Sequence, residues 1–331
     1  MSTTNPQPWA SVLGDDIERY VLHKRALGRK YVTEVRALRL LDRFVCERGI
    51  GVLSEIDPAL IEDFVGSRRR QSARSHNHLL GVARCFFDWL VVQERIGHSP
   101  VLIRPRRAGQ RPLPFLFDQT LAKQLLNAAR GLPDRSTARY RGQTYHLAFA
   151  LMYTLGLRIG EVSRLQVRDV DFERRVLWVR KTKFAKDRLV PFGPRVGTAL
   201  TGYMSGLERR AGEHPHGIPL FSFRAGHPVC AGAISQTFHH IVTGDPVFSP
   251  PPGVSPPRPH CLRHSFAVGT LLRWYRTGID VSERLIHLST FLGHVNPEST
   301  AWYLSITAEL LEQASQRFER YALPAVEGSV P

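Results

Sequence analysis

The stretch Leu292-Gly293-His294-Val295-Asn296-Pro297-Glu298-Ser299-Thr300-Ala301-Trp302-Tyr303 places a tyrosine nine residues after a histidine. Upstream lies His260-Cys261-Leu262-Arg263-His264. A phenol, several imidazoles and a guanidinium at this spacing suggest chemistry on a phosphodiester. Tyrosine can be the nucleophile, arginine can hold phosphate oxygens, and histidine can move protons.

The composition points the same way. The 331 residues carry 45 Lys and Arg against 29 Asp and Glu, a formal net charge of +16. Such an excess is the usual footprint of a nucleic-acid partner, with a solvated basic surface as the bland alternative. The apolar fraction of 43% fits globular domains rather than disorder. No apolar run approaches the ~20 residues of a spanning helix, and the first residues do not resemble a signal peptide, so no membrane partner is expected. Cys46, Cys85, Cys230 and Cys261 form no C-x-x-C pair and read as scattered reduced thiols of a cytosolic protein.

Apolar periodicity predicts four helices in the first hundred residues. Val12, Leu13, Ile17, Tyr20 and Val21 mark one; Val35, Leu38, Leu41, Phe44 and Val45 a second. Asp57-Pro58 supplies a cap and a first-turn proline for a third. Leu79 to Leu90 lies in a fourth, over about 75–96. Arg68, Arg69, Arg70 and Arg74 cluster at the last junction, as a solvated helix end or a phosphate-contacting patch. Residues 98–113 read as an extended linker. Arg104, Arg106, Arg107 and Arg111 alternate there with prolines, without an acidic residue.

The second domain is expected over 114–322, with 1–97 as the first and 323–331 as a frayed tail. Helices are predicted over 118–130 and 144–154, resuming from Arg158 to Leu165 after Gly156. Val176–Val179 and Arg188–Pro191 read as an antiparallel hairpin with Lys183 near its turn. Residues 246–259 hold seven prolines and read as loop. Ile306, Leu310, Leu311, Ala314 and Phe318 form one stripe of a terminal helix. The fold class is thus mainly α with a small antiparallel β-sheet, in two domains.

In Thr154-Leu155-Gly156-Leu157-Arg158-Ile159-Gly160-Glu161, Arg158 offers a planar fork to two phosphate oxygens, and Glu161 can fix its rotamer. An ordinary surface ion pair is the plainer alternative. His260 and His264 share a ligand-like spacing, yet no matching carboxylate is evident and Arg263 stands between them, so no metal is assigned. His264 can instead be a capping histidine. Lys183 is either solvated or a mobile general acid. Tyr303 can equally be a core tyrosine.

Taken in order, Arg158, Lys183, His260, Arg263, His294 and Tyr303, with K-x-x-K-x-R-x-V-P from Lys183, resemble the tyrosine recombinases, the phage-integrase family of site-specific DNA recombinases. The likeness is densest over about 145–305, and the Tyr303 region is similar to integrases of transposon-like elements. About five extra residues before Leu292 and the proline-rich 246–259 segment depart from the family pattern. The resemblance implies a helical, SAM-like core-binding domain and an α+β catalytic domain that clamp double-stranded DNA. It implies that Tyr303 forms a 3′-phosphotyrosine, with Arg158 and Arg263 on the non-bridging oxygens. Lys183 would protonate the leaving oxygen, His260 assist the tyrosine's proton transfer and His294 bond the phosphate, while Glu161 would orient the arginines. No cofactor, ATP or metal is implied. Four protomers, alone or mixed with sister recombinases, would act in the cytoplasm on nucleoid DNA. A type IB-like topoisomerase, a non-catalytic DNA-binding protein and a metal-dependent nuclease are the alternatives.

Overall fold

Four amphipathic segments in the first hundred residues have one way to hide their apolar stripes, which is against each other. The computed structural model describes residues 9–68, 70, 72–107, 109, 112–180, 187–211, 218–224, 227–294, 296, 298–305 and 312. It divides into two units, Met1–Arg111 and Pro112–Pro331. In the first, α1 (Gly14–Ala26), α2 (Val32–Glu47), α3 (Pro58–Gly66) and α4 (Ala73–Val92) enclose one core. Most residues that set the helical period, from Leu13 to Leu90, are its buried members, while Val12 and Val35 pack against it partly buried.

Local chemistry fixes the ends of these helices. Asp15 and Asp16 open α1 and His23, Lys24 and Arg25 close it, matching the helix dipole. Asp57 accepts the Leu60 N–H at 2.8 Å, with Pro58 in the first turn of α3. The buried Asp42 of α2 accepts three bonds from Ala10 and Ser11 and so ties the incoming chain to the bundle.

The linker expected at 98–113 is partly folded onto this first unit. Val101 is buried in its core, and Ile103 packs against it. Asn77 on α4 exchanges two 2.8 Å hydrogen bonds with the backbone of Arg106. Prolines keep the strand extended, and the side chain of Asn77 supplies the pairing that its irregular backbone cannot make with itself. Helix α4 also stops at Val92, earlier than its apolar pattern suggests.

In the second unit, α5 (Gln119–Arg130), capped by Asp118, packs on α6 (Arg141–Thr154). After the short α7 (Ile159–Val162) come β1 (Val170–Asp171), β2 (Val176–Val179) and β3 (Arg188–Pro191), an antiparallel sheet in the order β1-β2-β3. Leu177 faces Val190 across the ladder and both are buried; Trp178 and Leu189 pair on the exposed side. Lys183 lies outside the described residues. Helices α8 (Pro194–Ala211) and α9 (Ala231–Gly244) flank a hairpin of β4 (Ser222–Arg224) and β5 (His227–Pro228). Then follow α10 (Pro259–Arg276), α11 (Val281–Leu292), the one-turn α12 (Glu298–Ala301) and a 3-10 turn over Trp302–Ser305. The terminal stripe from Ile306 to Phe318 is outside the described residues.

The proline-rich segment is more ordered than a plain loop. Asp245 caps a 3-10 turn at Pro246–Phe248. Gly253 and Ser255 then pair with both backbone groups of Leu113, at 3.0 and 2.8 Å. The Phe117 N–H reaches Ser265 Oγ on α10 at 2.7 Å, so the chain entering this unit is pinned to the helix that carries Arg263.

Candidate active site

Helix α11 ends because Gly293 adopts a left-handed backbone, φ +66°. The His294 N–H then turns back to Ser289 O at 2.9 Å and the Gly293 N–H to Thr290 O at 2.9 Å. The next three carbonyls have no partner within the helix and sit at its negative pole, a natural seat for cations. Each takes an arginine. Arg188 Nε donates to Phe291 O at 2.9 Å, Arg263 Nη2 to Leu292 O at 2.6 Å and Arg158 Nη2 to Gly293 O at 2.8 Å.

The other side of this cluster is one carboxylate. Glu161 is buried and accepts from both Nη atoms of Arg188, each at 2.8 Å. It also accepts from Arg158 Nη1 at 2.8 Å and from the Arg158 N–H at 2.9 Å. Burial alone would raise its pKa, but the hydrogen bonds and charge of Arg188, and then those of Arg158, bring it down to about 2.

Arg263 is fully buried. Its Nη1 donates to Gly156 O at 2.6 Å, and its Nε has no hydrogen-bond partner among the described residues. Gly156 stands at φ +61°, and a Cβ there would lie 2.7 Å from Phe266 and 2.8 Å from Leu292 side-chain atoms, so only glycine fits. Burial, then the neighbouring Arg158, lowers the Arg263 pKa to about 9, which leaves it charged at neutral pH. Three guanidiniums against one carboxylate make the cluster cationic. Arg158 keeps 26% of its side chain exposed and is open to a ligand.

His294 follows directly. Its Nδ1 lies 2.7 Å from Thr300 Oγ1. Burial and then Arg263, Arg158, His260 and Arg188 push its pKa down to about 3, so the ring is neutral at pH 7. The Tyr303 ring stacks on it, centroids 6.3 Å apart and 19° from parallel. Tyr303 is 2% exposed, and its Oη lies 2.8 Å from His264 Nδ1. His260 is exposed at the start of α10, with its ring edge-on to His264 at 4.5 Å.

Arg158, Glu161, Arg263, His294 and Tyr303 are therefore gathered around the end of α11, with His260 linked to them through His264. Lys183 is outside the described residues, as are Arg69 and Arg111. In the first unit Arg70 and Arg106 meet, through a 3.1 Å bond from Arg106 Nη1 to Arg70 O. Arg74, Arg104 and Arg107 are exposed, and Arg68 is half-buried. The sequence reading gave no role to Arg188, although it stands in the K-x-x-K-x-R-x-V-P pattern, and none to Thr300. His264 was left open there, with a capping histidine as one alternative. Among the described residues no three His, Cys, Asp or Glu side chains converge as a metal site, and no helix is long and apolar enough to cross a membrane.

Solved structures share this fold. The Tn1549 transposon integrase in complex with a circular intermediate DNA aligns with a TM-score of 0.65 at 20% identity, over 92% of this chain and 99% of that one. A lambda integrase dimer bound to a COC′ core site aligns at 0.63 and 18% identity, over 88% and 76%. The architecture is that of the DNA integrases and recombinases. The pattern of the phage integrase family matches residues 117–309, and this chain belongs to that family, the tyrosine recombinases and integrases. It is 36% identical over 313 residues to the putative integrase/recombinase y4rB of Sinorhizobium fredii, covering 92% of this chain and 96% of the relative. Tyrosine recombinase XerC of Xanthomonas axonopodis pv. citri is 27% identical over 256 residues, 76% of this chain and 74% of the relative.

Proposed function

We propose that this protein cuts and rejoins double-stranded DNA at specific sites through a 3′-phosphotyrosine on Tyr303. The observation that carries the reading is the seating of Arg158 and Arg263 on consecutive carbonyls of α11, beside His294 and the stacked Tyr303. Two fixed guanidiniums there can share the charge of a five-coordinate phosphorus. Arg263 is held by two backbone carbonyls and Arg158 by a carbonyl and Glu161 before DNA arrives, so the two guanidiniums need little reorganisation.

Tyr303 Oη attacks phosphorus, and the bond to the 5′-oxygen breaks. The phenolic proton leaves toward the histidine side, where His260 assists its transfer. The departing 5′-oxygen takes a proton from Lys183. His294 is neutral, and in the tautomer whose Nδ1 accepts from Thr300 it has a hydrogen on Nε2 to donate to a phosphate oxygen. Glu161 orients Arg158 and Arg188 and does not react. One ester replaces another, so neither ATP nor a metal is required. A 5′-hydroxyl from a second duplex reverses the step and completes the exchange.

Arg68, Arg69, Arg70 and Arg74, with Arg104, Arg106, Arg107 and Arg111, supply phosphate contacts from the first unit and the segment after it. The two units clamp the duplex, four protomers assemble on two sites, alone or with sister recombinases, and the protein works on nucleoid DNA in the cytoplasm. The similarity to the Tn1549 integrase supports a mobile element as the source of its sites.

The test begins with DNA selected from a random library by the Tyr303→Phe protein. A nicked version of that DNA should trap a covalent adduct with the unaltered protein and none with Tyr303→Phe. An adduct of equal yield in the variant refutes the assignment.

A further inference from the structure

One contact at this site is left unexplained by the chemistry of the phosphate. The phenolic oxygen meant to attack DNA is not open to it. Tyr303 is 2% exposed and packs among Ala267, Leu271, Leu288 and Leu292. A side chain so placed cannot reach a phosphate outside the protein without leaving its pocket. What holds its polar end is His264 Nδ1, at 2.8 Å.

We propose that His264 is a positioning residue that parks Tyr303. It satisfies the buried hydroxyl in the free protein, and the bond must open before strand cleavage. This rests on the reading of Tyr303 as the nucleophile. The imidazole is itself aimed. It lies on α10 one residue past Arg263, whose guanidinium is fixed at both Nη atoms. His260 packs edge-on against one side at 4.5 Å and Trp302 against it at 5.8 Å. Turning such a ring to release Tyr303 is costly, so the tyrosine moves rather than the histidine. A neutral hydrogen bond of ordinary net strength biases the parked state about 3- to 10-fold.

The contact is specific to one ring nitrogen, and this gives the test. Asparagine places an amide near Nδ1, whereas glutamine places one near Nε2. Tetranitromethane labels exposed phenols, and peptide mass mapping resolves each tyrosine. In the free protein Tyr303 should be protected while Tyr140, 39% exposed, reacts and serves as the internal standard. His264→Leu should raise Tyr303 labelling about 3- to 10-fold relative to Tyr140. His264→Asn should restore protection and His264→Gln should not. Equal labelling of the His264→Leu and unaltered proteins overturns the proposal, as does identical behaviour of Asn and Gln. If His264→Leu does not fold, the Asn and Gln pair decides alone. Failure of the nucleophile reading shows separately, as an adduct that survives Tyr303→Phe.

Discussion

Arg188 and Glu161 meet as a two-pronged pair, Nη1 to Oε1 and Nη2 to Oε2, both at 2.8 Å, and the same carboxylate carries Arg158. Side chains from β3 and from α7 are thereby locked before any phosphate is present. Breaking such a buried pair from one side strands a charge and costs about 3–5 kcal/mol. Glu161→Gln should lower stability by that order in a denaturant titration. It should also slow adduct formation, because Arg158 loses its anchor.

The same carboxylate sets an acid limit. Its pKa is about 2 in the folded protein against an ordinary value of 4.5. A depressed carboxyl contributes stability that is complete above the unfolded pKa and is lost as pH falls through the folded one. The difference is worth about 3 kcal/mol, released between about pH 4.5 and 2. Stability followed by chemical denaturation across that window should fall in the unaltered protein and fall less in Glu161→Gln.

His294 acts over a higher range. Its folded pKa is about 3 against 6.5 unfolded. Between these values the unfolded chain binds the proton and the folded one does not, so stability declines as pH drops from 6.5 towards 3. His294→Asn should remove that part of the slope. In single-turnover cleavage, the unaltered protein should show no inflection from His294 between pH 5 and 8.

Gly156→Ala should be among the most damaging small changes in the second unit. It adds a left-handed backbone penalty of about 1–2 kcal/mol to the strain of overpacking against Phe266 and Leu292, about 1–3 kcal/mol. It also displaces the carbonyl that holds Arg263. Thermal melting should show the loss, and cleavage should fall further than stability alone explains. Arg158→Ala, at a position about a quarter exposed, should reduce the cleavage rate 10²–10³-fold with less effect on folding.

Binding should be strongly salt-dependent. If the arginines of the first unit make about 6–10 phosphate contacts, affinity falls about 10³–10⁵-fold between 50 and 200 mM salt. A filter-binding series checks this, and Arg74→Ala should lower the slope by about one contact.

The first unit was legible because its information is local. Period, cap and first-turn proline all lie within a few residues of the helix they define, as Asp57-Pro58 and the Leu79–Leu90 stripe show. Helix α9 was not assigned. Its sequence is rich in Gly, Thr and Ile, and burial of Ile234, Phe238 and Ile241 decides its conformation instead. Order and spacing singled out Arg158, Arg263, His294 and Tyr303, which the fold gathers at the end of α11. The contacts could not be read that way, since Arg158 meets Gly293 across 135 positions and Arg188 meets Phe291 across 103. The partner of His264 was hidden for the same reason, because it lies 39 residues away on another element.

The carbonyls that seat Arg158 and Arg263 lie at the end of a helix made late in the chain. During synthesis, a polypeptide that has emerged from the ribosome only as far as α10 already contains Arg158 and Arg263, yet each still lacks the carbonyl at the end of α11 that completes its seat. Such a nascent chain could cling to nearby DNA through its charge but could not sever it. Assembly of the arginine cluster thus waits on α11.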